Sequence, residues 1–143
     1  MGRRTKAREC AFQMLYQWEL TQAPLDQVIE EFWQLRTTPE ATKAQAERLT
    51  RGTYAWRERI DALIAETATR WRPERIAMVD RSILRLGSYE LLAEPGTPAS
   101  VVIDEGIELA KRFSEAESYA FVNGILDAIR RRQVAEATAA SEG

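Results

Sequence analysis

Residues 76–92, IAMVDRSILRLGSYELL, decide the fold class of this chain of 143 residues. Ile76, Val79, Ile83 and Leu86 recur at steps of three and four, and further leucines lie beside that line. This broad apolar surface is typical of a helix that is buried on most of its sides. The chain shows no clear period-two alternation of the kind that marks half-buried strands. We therefore predict an all-α fold built around this central helix.

Apolar lines with the same helical spacing run through the rest of the chain up to residue 132. Pro24, Pro73 and the loop sequence EPGTP at 94–98 separate them, since proline and glycine interrupt helices. The pattern predicts about seven helices in one compact domain, residues 1–132. Gly52 lies inside a helical pattern, where we expect it to permit close contact between helices. The polar segment 133–143 lacks an apolar pattern, and we predict that it is disordered.

The composition excludes several classes of site. The chain has no histidine and one cysteine, so a Ser-His-Asp triad, a His-ligated metal site and an internal disulfide are all impossible. No glycine spacing fits a phosphate-binding loop. We therefore expect no enzyme activity, no metal and no cofactor. No apolar run is long enough to span a membrane, and no secretory signal is evident, so we expect a cytoplasmic protein.

The charge is distributed unevenly although the net charge is only −2. Residues 1–8 contain Arg3, Arg4, Lys6 and Arg8 without any acid, which leaves 16 basic against 22 acidic residues for the rest of the chain. A cationic segment on an acidic body indicates a local site for an anion. Arg4, Arg8 and Tyr16 lie on one edge of the predicted first helix, since they are spaced by multiples of four.

The C-terminal part of the chain carries a second unusual feature. Asn123 and Gly124 adjoin inside an apolar helical pattern although both are poor helix formers. Their presence indicates either close packing between helices or the close approach of another chain or ligand. Single-stranded RNA is recognised by cations, aromatic rings and amides together. The sequence offers these groups at Arg4, Arg8, Tyr16, Lys111, Phe121 and Asn123.

Four sequence blocks resemble the NusB family of transcription antitermination factors. They are RRTKARECA with QMLY (residues 3–16), DRSILRL with YEL (80–91), TPASVVIDE with ELAKRF (97–113) and FVNGILD (121–127). The blocks follow one another in the order of the family. The resemblance implies an all-helical fold of two packed subdomains. It also implies binding of the boxA RNA element in nascent ribosomal RNA leaders.

The resemblance further implies partners and contact residues. The partner is NusE, a small-subunit ribosomal protein that also acts in transcription, and the pair joins the elongating RNA polymerase to suppress premature termination. Some members form homodimers when they are free. The implied RNA contacts are Arg3, Arg4, Lys6, Arg8, Lys111, Phe113, Glu117, Phe121 and Asn123. The implied NusE face lies around Glu74, Arg75, Asp80 and Leu84.

Two other functions are compatible with the same residues. The chain could be an RNA-binding helical domain of the kind found in ribosomal RNA methyltransferases, which would require a separate cofactor-binding domain. It could also be an adaptor that binds only proteins. The cationic segment and the high share of arginine among the basic residues favour RNA binding over the adaptor.

Overall fold

The computed structural model describes residues 2–68 and 73–142, which form seven α-helices and one short 3₁₀ turn. The predicted all-α fold of about seven helices is confirmed. The helices are α1 (Arg3–Thr21), α2 (Leu25–Gln34), α3 (Glu40–Ala55), α4 (Arg57–Thr67), α5 (Met78–Ala93), α6 (Ala99–Phe113) and α7 (Ser118–Glu142), and the 3₁₀ turn is Pro73–Arg75.

Proline sets the start of three helices. Pro24, Pro39 and Pro98 directly precede α2, α3 and α6, each with extended backbone. The pyrrolidine ring fixes φ and removes the amide proton, so that the preceding turn cannot continue as a helix. The loop predicted at 94–98 therefore lies between α5 and α6.

Helix α5 is the centre of the molecule, as residues 76–92 predict. It packs against α1, α3, α4, α6 and α7. Ile83, Leu84 and Leu86 are at most 2% exposed, in a core to which α1 and α3–α7 all contribute. A second apolar cluster joins α2 to α1 and α3, and it contains Ala7, Cys10, Met14, Ile29, Phe32, Trp33 and Ala46.

Three glycines allow helices to approach closely. A Cβ atom at Gly52 would lie 2.2 Å from the ring of Tyr89, which confirms the predicted helix contact. Gly87 on α5 and Gly106 on α6 both face Leu126 of α7, and a Cβ at either position would lie 2.9 Å from that side chain. Leu126 therefore packs against the backbone of two helices at once.

The end of the chain differs from the disorder that we predicted for residues 133–143. Helix α7 continues to Glu142, and the Gln133 side chain donates a hydrogen bond to the carbonyl oxygen of Leu91 at 2.9 Å. Alanine, the strongest helix former, is frequent beyond Gln133 and favours the helix there. Residues 134–141 are exposed. In the described parts of the chain, no helix is both long and apolar enough to cross a membrane.

Candidate nucleic-acid interface

The first turn of α1 presents the cationic segment to solvent. Arg3, Arg4 and Lys6 are all exposed there. Within residues 2–68 and 73–142, neither Arg3 nor Arg4 forms an ion pair, whereas the Lys6 Nζ lies 3.9 Å from a Glu9 oxygen. These three cations are therefore available to an anionic ligand.

Arg8 lies in a different environment from the rest of the segment. It is 3% exposed, and its Nε donates to both oxygens of Glu90 on α5, at 2.9 and 3.0 Å. Its Nη1 lies 3.9 Å from the Glu105 carboxylate on α6. A guanidinium that is already buried against two carboxylates is not accessible to a phosphate. We therefore correct the predicted RNA contact by Arg8 to a positioning role, in which it fixes the start of α1.

The Glu90 carboxyl is buried with Arg8, and this environment changes its pKa. Burial raises the pKa of Glu90 because a charged carboxylate is poorly solvated there, while the charge and hydrogen bonds of Arg8 lower the pKa in part. The net pKa is raised. The pair is therefore held together in a site that disfavours an unpartnered charge of either sign.

Two further contacts join the start of α1 to α6. The Thr5 hydroxyl donates to Glu105 at 2.7 Å, and the Arg112 guanidinium donates to Glu9 at 3.1 Å. These partners are 100 and 103 positions apart in the sequence. The contacts bring the exposed cations of α1 and the basic C-terminal end of α6 onto one surface.

The same surface continues from α6 to the first turns of α7. The Lys111 ammonium lies 5.2 Å from the centre of the Tyr119 ring, which is 41% exposed. Asn123 follows Tyr119 by four positions, so the two lie on the same side of α7. Asn123 is exposed, and its amide is therefore accessible to the edge of a base. Its role in reading RNA stays a prediction.

Tyr16 and Phe113 share one aromatic neighbour, Phe12. The ring centre of Phe12 lies 6.3 Å from that of Tyr16 and 5.2 Å from that of Phe113, and Phe12 itself is buried. Tyr16 and Phe113 are half-buried and line a cleft of about 610 Å³ between α1, α2 and the α5–α6 region. The structure thus brings together two rings that the sequence places almost 100 positions apart.

A second cleft, of about 390 Å³, combines residues that we predicted for two different ligands. Glu117 and Phe121 come from the predicted RNA set, whereas Arg75 and Asp80 come from the predicted NusE set. The Ser114 hydroxyl donates to Asp80 at 2.6 Å, and the residues directly before them, Phe113 and Val79, line the first cleft. The predicted RNA and partner surfaces therefore adjoin.

Burial changes the predicted partner face. Leu84 has no exposed surface and belongs to the main core, so it cannot contact a partner in this fold, and we correct its role to core packing. Asp80 is 6% exposed and already accepts the hydrogen bond from Ser114. Glu74 and Arg75 are exposed, and they are the members of the set that a partner can reach.

Sequence reasoning missed Arg112 and Tyr119, and it missed the acidic partners that fix α1. Tyr119 could have been found from its i, i+4 spacing to Asn123, and Arg112 from its position next to Lys111. Glu90 also carried a signal, because a carboxylate on the apolar line of a buried helix requires a cationic partner. Among the residues that the structure describes, no three Cys, Asp or Glu side chains are arranged to hold a metal ion.

The chain is similar to known proteins both in sequence and in structure. Residues 5–131 match the family model described as the NusB family. A transcription antitermination protein NusB from Sorangium cellulosum is 41% identical over 129 residues, which are 90% of this chain and 92% of that protein. The crystal structure of T. maritima NusB superposes with a TM-score of 0.84 at 40% identity, and the match covers 92% of each chain.

A further solved structure contains a partner and a nucleic acid. It is a crystal structure of the antitermination factors NusB and NusE in complex with double-stranded RNA. The chain superposes on it with a TM-score of 0.81 at 28% identity, and the match covers 92% of this chain and 98% of the other.

Proposed function

The chain belongs to the NusB family, and from that premise we propose that it is a transcription antitermination factor. It binds boxA-type single-stranded RNA of ribosomal RNA leaders together with NusE, and it thereby suppresses premature termination by RNA polymerase. The observation that carries this proposal is the convergence of the α1 cations with the α6–α7 residues on one surface. That convergence depends on the contacts of Thr5, Arg8 and Glu9.

The chemistry of this surface is that of RNA binding. Arg3, Arg4 and Lys6 supply charge for phosphates, and the Tyr119 ring supplies a face on which a base can stack. The Asn123 amide can donate to and accept from a base edge. A base that is paired in a duplex offers neither its face nor its Watson–Crick edge, so this set favours a single strand. We propose that the protein acts by binding and not by catalysis.

NusE is the proposed protein partner, and a solved NusB–NusE pair in complex with RNA supports this. We place its contact near the exposed Glu74 and Arg75, next to the second cleft. The first turn of α1 offers three exposed cations, Arg3, Arg4 and Lys6, to phosphates, and phosphate neutralisation supplies much of nucleic-acid affinity. A partner that brings its own cations to the adjoining surface would therefore strengthen RNA binding. We propose that the complex works in the cytoplasm, where nascent leader RNA is made.

The experiment that tests the proposed function is transcription in a purified system. RNA polymerase transcribes a leader with a boxA element upstream of a terminator, in the presence of NusE and the other elongation factors. The chain should raise the yield of read-through product, and a leader with a scrambled boxA should show no rise. An equal yield with and without the chain on the intact leader would contradict the proposal.

A further inference from the structure

Gly124 occupies an unusual position in α7. It lies well inside a helix that runs from Ser118 to Glu142, and it is exposed. Apart from its chain neighbours and the adjacent backbone of α7, a Cβ atom built on Gly124 would have no atom of the described chain within 4 Å. The fold itself therefore places no steric requirement for glycine at this position.

The other helical glycines show what a packing requirement looks like. A Cβ at Gly52, Gly87 or Gly106 would lie within 3.0 Å of Tyr89 or Leu126. Each of these glycines is explained by the neighbouring helix. The sequence left open whether Gly124 serves packing between helices or the approach of a ligand, and the open space around it removes the first explanation.

Glycine at an exposed position inside a helix weakens that helix relative to alanine, because glycine loses more backbone freedom on folding. Asn123, directly before it, is also a poor helix former and is also exposed. Asn123 and Gly124 thus both weaken the helix, and packing within the fold explains neither of them. A close approach of another molecule to the α7 backbone is the remaining physical reason for the absent side chain.

The position of Gly124 on the helix indicates which molecule approaches. Successive residues turn by about 100° around an α-helix, so Gly124 lies on the exposed side of α7 between the row Tyr119–Asn123 and the position of Phe121. One row presents an exposed ring with Lys111 above it and then an exposed amide. Asp127, one turn further, is already paired with Arg130 at 2.6 Å and with Arg131 at 3.1 Å. Its charge is therefore compensated where a phosphate would pass.

We propose that Gly124 is the point at which the sugar–phosphate backbone of the bound RNA lies directly against α7. The absent side chain lets a nucleotide sit low enough for its base to reach Tyr119 and Asn123 on one row. Any side chain at position 124 would lift the strand away from both. This inference rests on the proposed RNA-binding function and adds a residue that controls how closely the strand approaches.

The test is Gly124→Ala, measured for RNA affinity and for thermal stability. Because alanine favours the helix and meets open space, Tm should rise by about 2–4 °C, while the affinity for a boxA-type single-stranded RNA should fall about tenfold. Gly124→Leu should bind still more weakly. The matched control is Gly96→Ala, since Gly96 is also exposed with open space around it but lies in the α5–α6 loop. That variant should keep the wild-type affinity.

The outcomes separate this inference from the proposed function. If the wild-type chain fails to bind the RNA, alone and with NusE, both are overturned. If the wild type binds and Gly124→Ala binds equally well, only the role of Gly124 is overturned. RNA affinity that stays constant while NusE affinity falls would assign the position to the protein partner and overturn the inference. A lower Tm for Gly124→Ala would contradict the open space around the residue and overturn the inference as well.

Discussion

Arg8 and Glu90 form a buried ion pair in which Nε of Arg8 donates to both carboxylate oxygens, and each side chain is 4% exposed. The pair joins the first helix to the central helix. Arg8 follows the exposed Arg4 by about one helical turn, so the pair holds the part of α1 that carries the exposed cations.

The first prediction concerns the stability that this pair provides. Arg8→Met should destabilise the fold at neutral pH by about 3–5 kcal/mol, because it leaves the Glu90 carboxylate buried without a partner. The pKa of Glu90 is already raised in the folded protein, and removal of Arg8 should raise it further. Just above the ordinary carboxyl pKa, Glu90 of the folded variant therefore still binds a proton, whereas the same carboxyl of the unfolded chain has released it. The free energy of unfolding of the variant then falls as pH rises.

The measurement is urea unfolding of Arg8→Met and wild type at about pH 5 and about pH 7.5, because a carboxyl with a raised pKa binds its proton more readily at the lower pH in the folded variant. The difference between the two proteins should be smaller at the lower pH. Arg8→Met combined with Glu90→Gln should recover part of the loss at pH 7.5, since no buried charge remains. An equal loss at both pH values would show that Arg8 stabilises the fold by packing alone.

The second prediction concerns the exposed cations. Arg3→Ala with Arg4→Ala should weaken the binding of matched and scrambled RNA alike. The slope of log affinity against log salt should become shallower by about 0.7 for each phosphate of the single strand that is no longer neutralised. Arg51→Ala with Arg59→Ala is the control for the loss of two charges, because both arginines are exposed on α3 and α4, where Arg51 pairs with Asp26 at 2.6 Å. If the slope changes in the control but not in the α1 variant, the cationic segment does not contact the phosphates of the RNA.

The third prediction concerns Tyr119, which we identified only from the structure. Tyr119→Ala should weaken RNA binding by about 1–3 kcal/mol, the range for one base stacked on an aromatic ring. Tyr119→Phe should bind like the wild type, because the ring and its approach to Lys111 are retained. The measurement is fluorescence anisotropy of a labelled RNA. Equal losses in the two variants would assign the effect to the hydroxyl and not to stacking.

The fourth prediction concerns Asn123. Asn123→Ala should weaken the binding of matched RNA by a larger factor than the binding of scrambled RNA, since an amide reads base edges and not phosphates. The ratio of the two affinities should therefore fall. Gln34→Ala, which removes an exposed amide from α2, should leave that ratio unchanged. If matched and scrambled RNA lose affinity by the same factor, Asn123 does not discriminate between bases.

The sequence predicted the helical class, the central helix and the close contact at Gly52, because each depends on local spacing and composition. It could not predict that Arg8 is buried while Arg3 and Arg4 are exposed, since that depends on Glu90 and Glu105 arriving from distant helices. The same holds for the hydrogen bond between Ser114 and Asp80, which lie 34 positions apart in the sequence.

Two features of the structure differ from the prediction, each for its own physical reason. Leu84 adjoins the predicted partner face in sequence, but the rotation of α5 turns it into the core. The alanine-rich end of α7 remains helical through intrinsic propensity although it has no apolar pattern. Leu84 shows that exposure must be taken from the packed helices, whereas the end of α7 shows that helix propensity acts where no apolar pattern is present.

The fifth prediction is reciprocal coupling between RNA and NusE, the central claim of the account. If the two ligands bind adjoining surfaces, each should strengthen the other by the same factor, and a factor of about 5–150 is ordinary for such coupling. Glu74→Ala, at an exposed position of the proposed NusE face, should weaken NusE binding and leave the RNA affinity of the lone chain unchanged.

The most direct test is the affinity of the chain for a boxA-type single-stranded RNA at one fixed salt concentration, measured with and without saturating NusE. We predict that NusE tightens RNA binding at least about fivefold, and that RNA tightens NusE binding by the same factor in the converse titration. Equal RNA affinity with and without NusE, under conditions in which the protein pair is shown to form, would contradict the account.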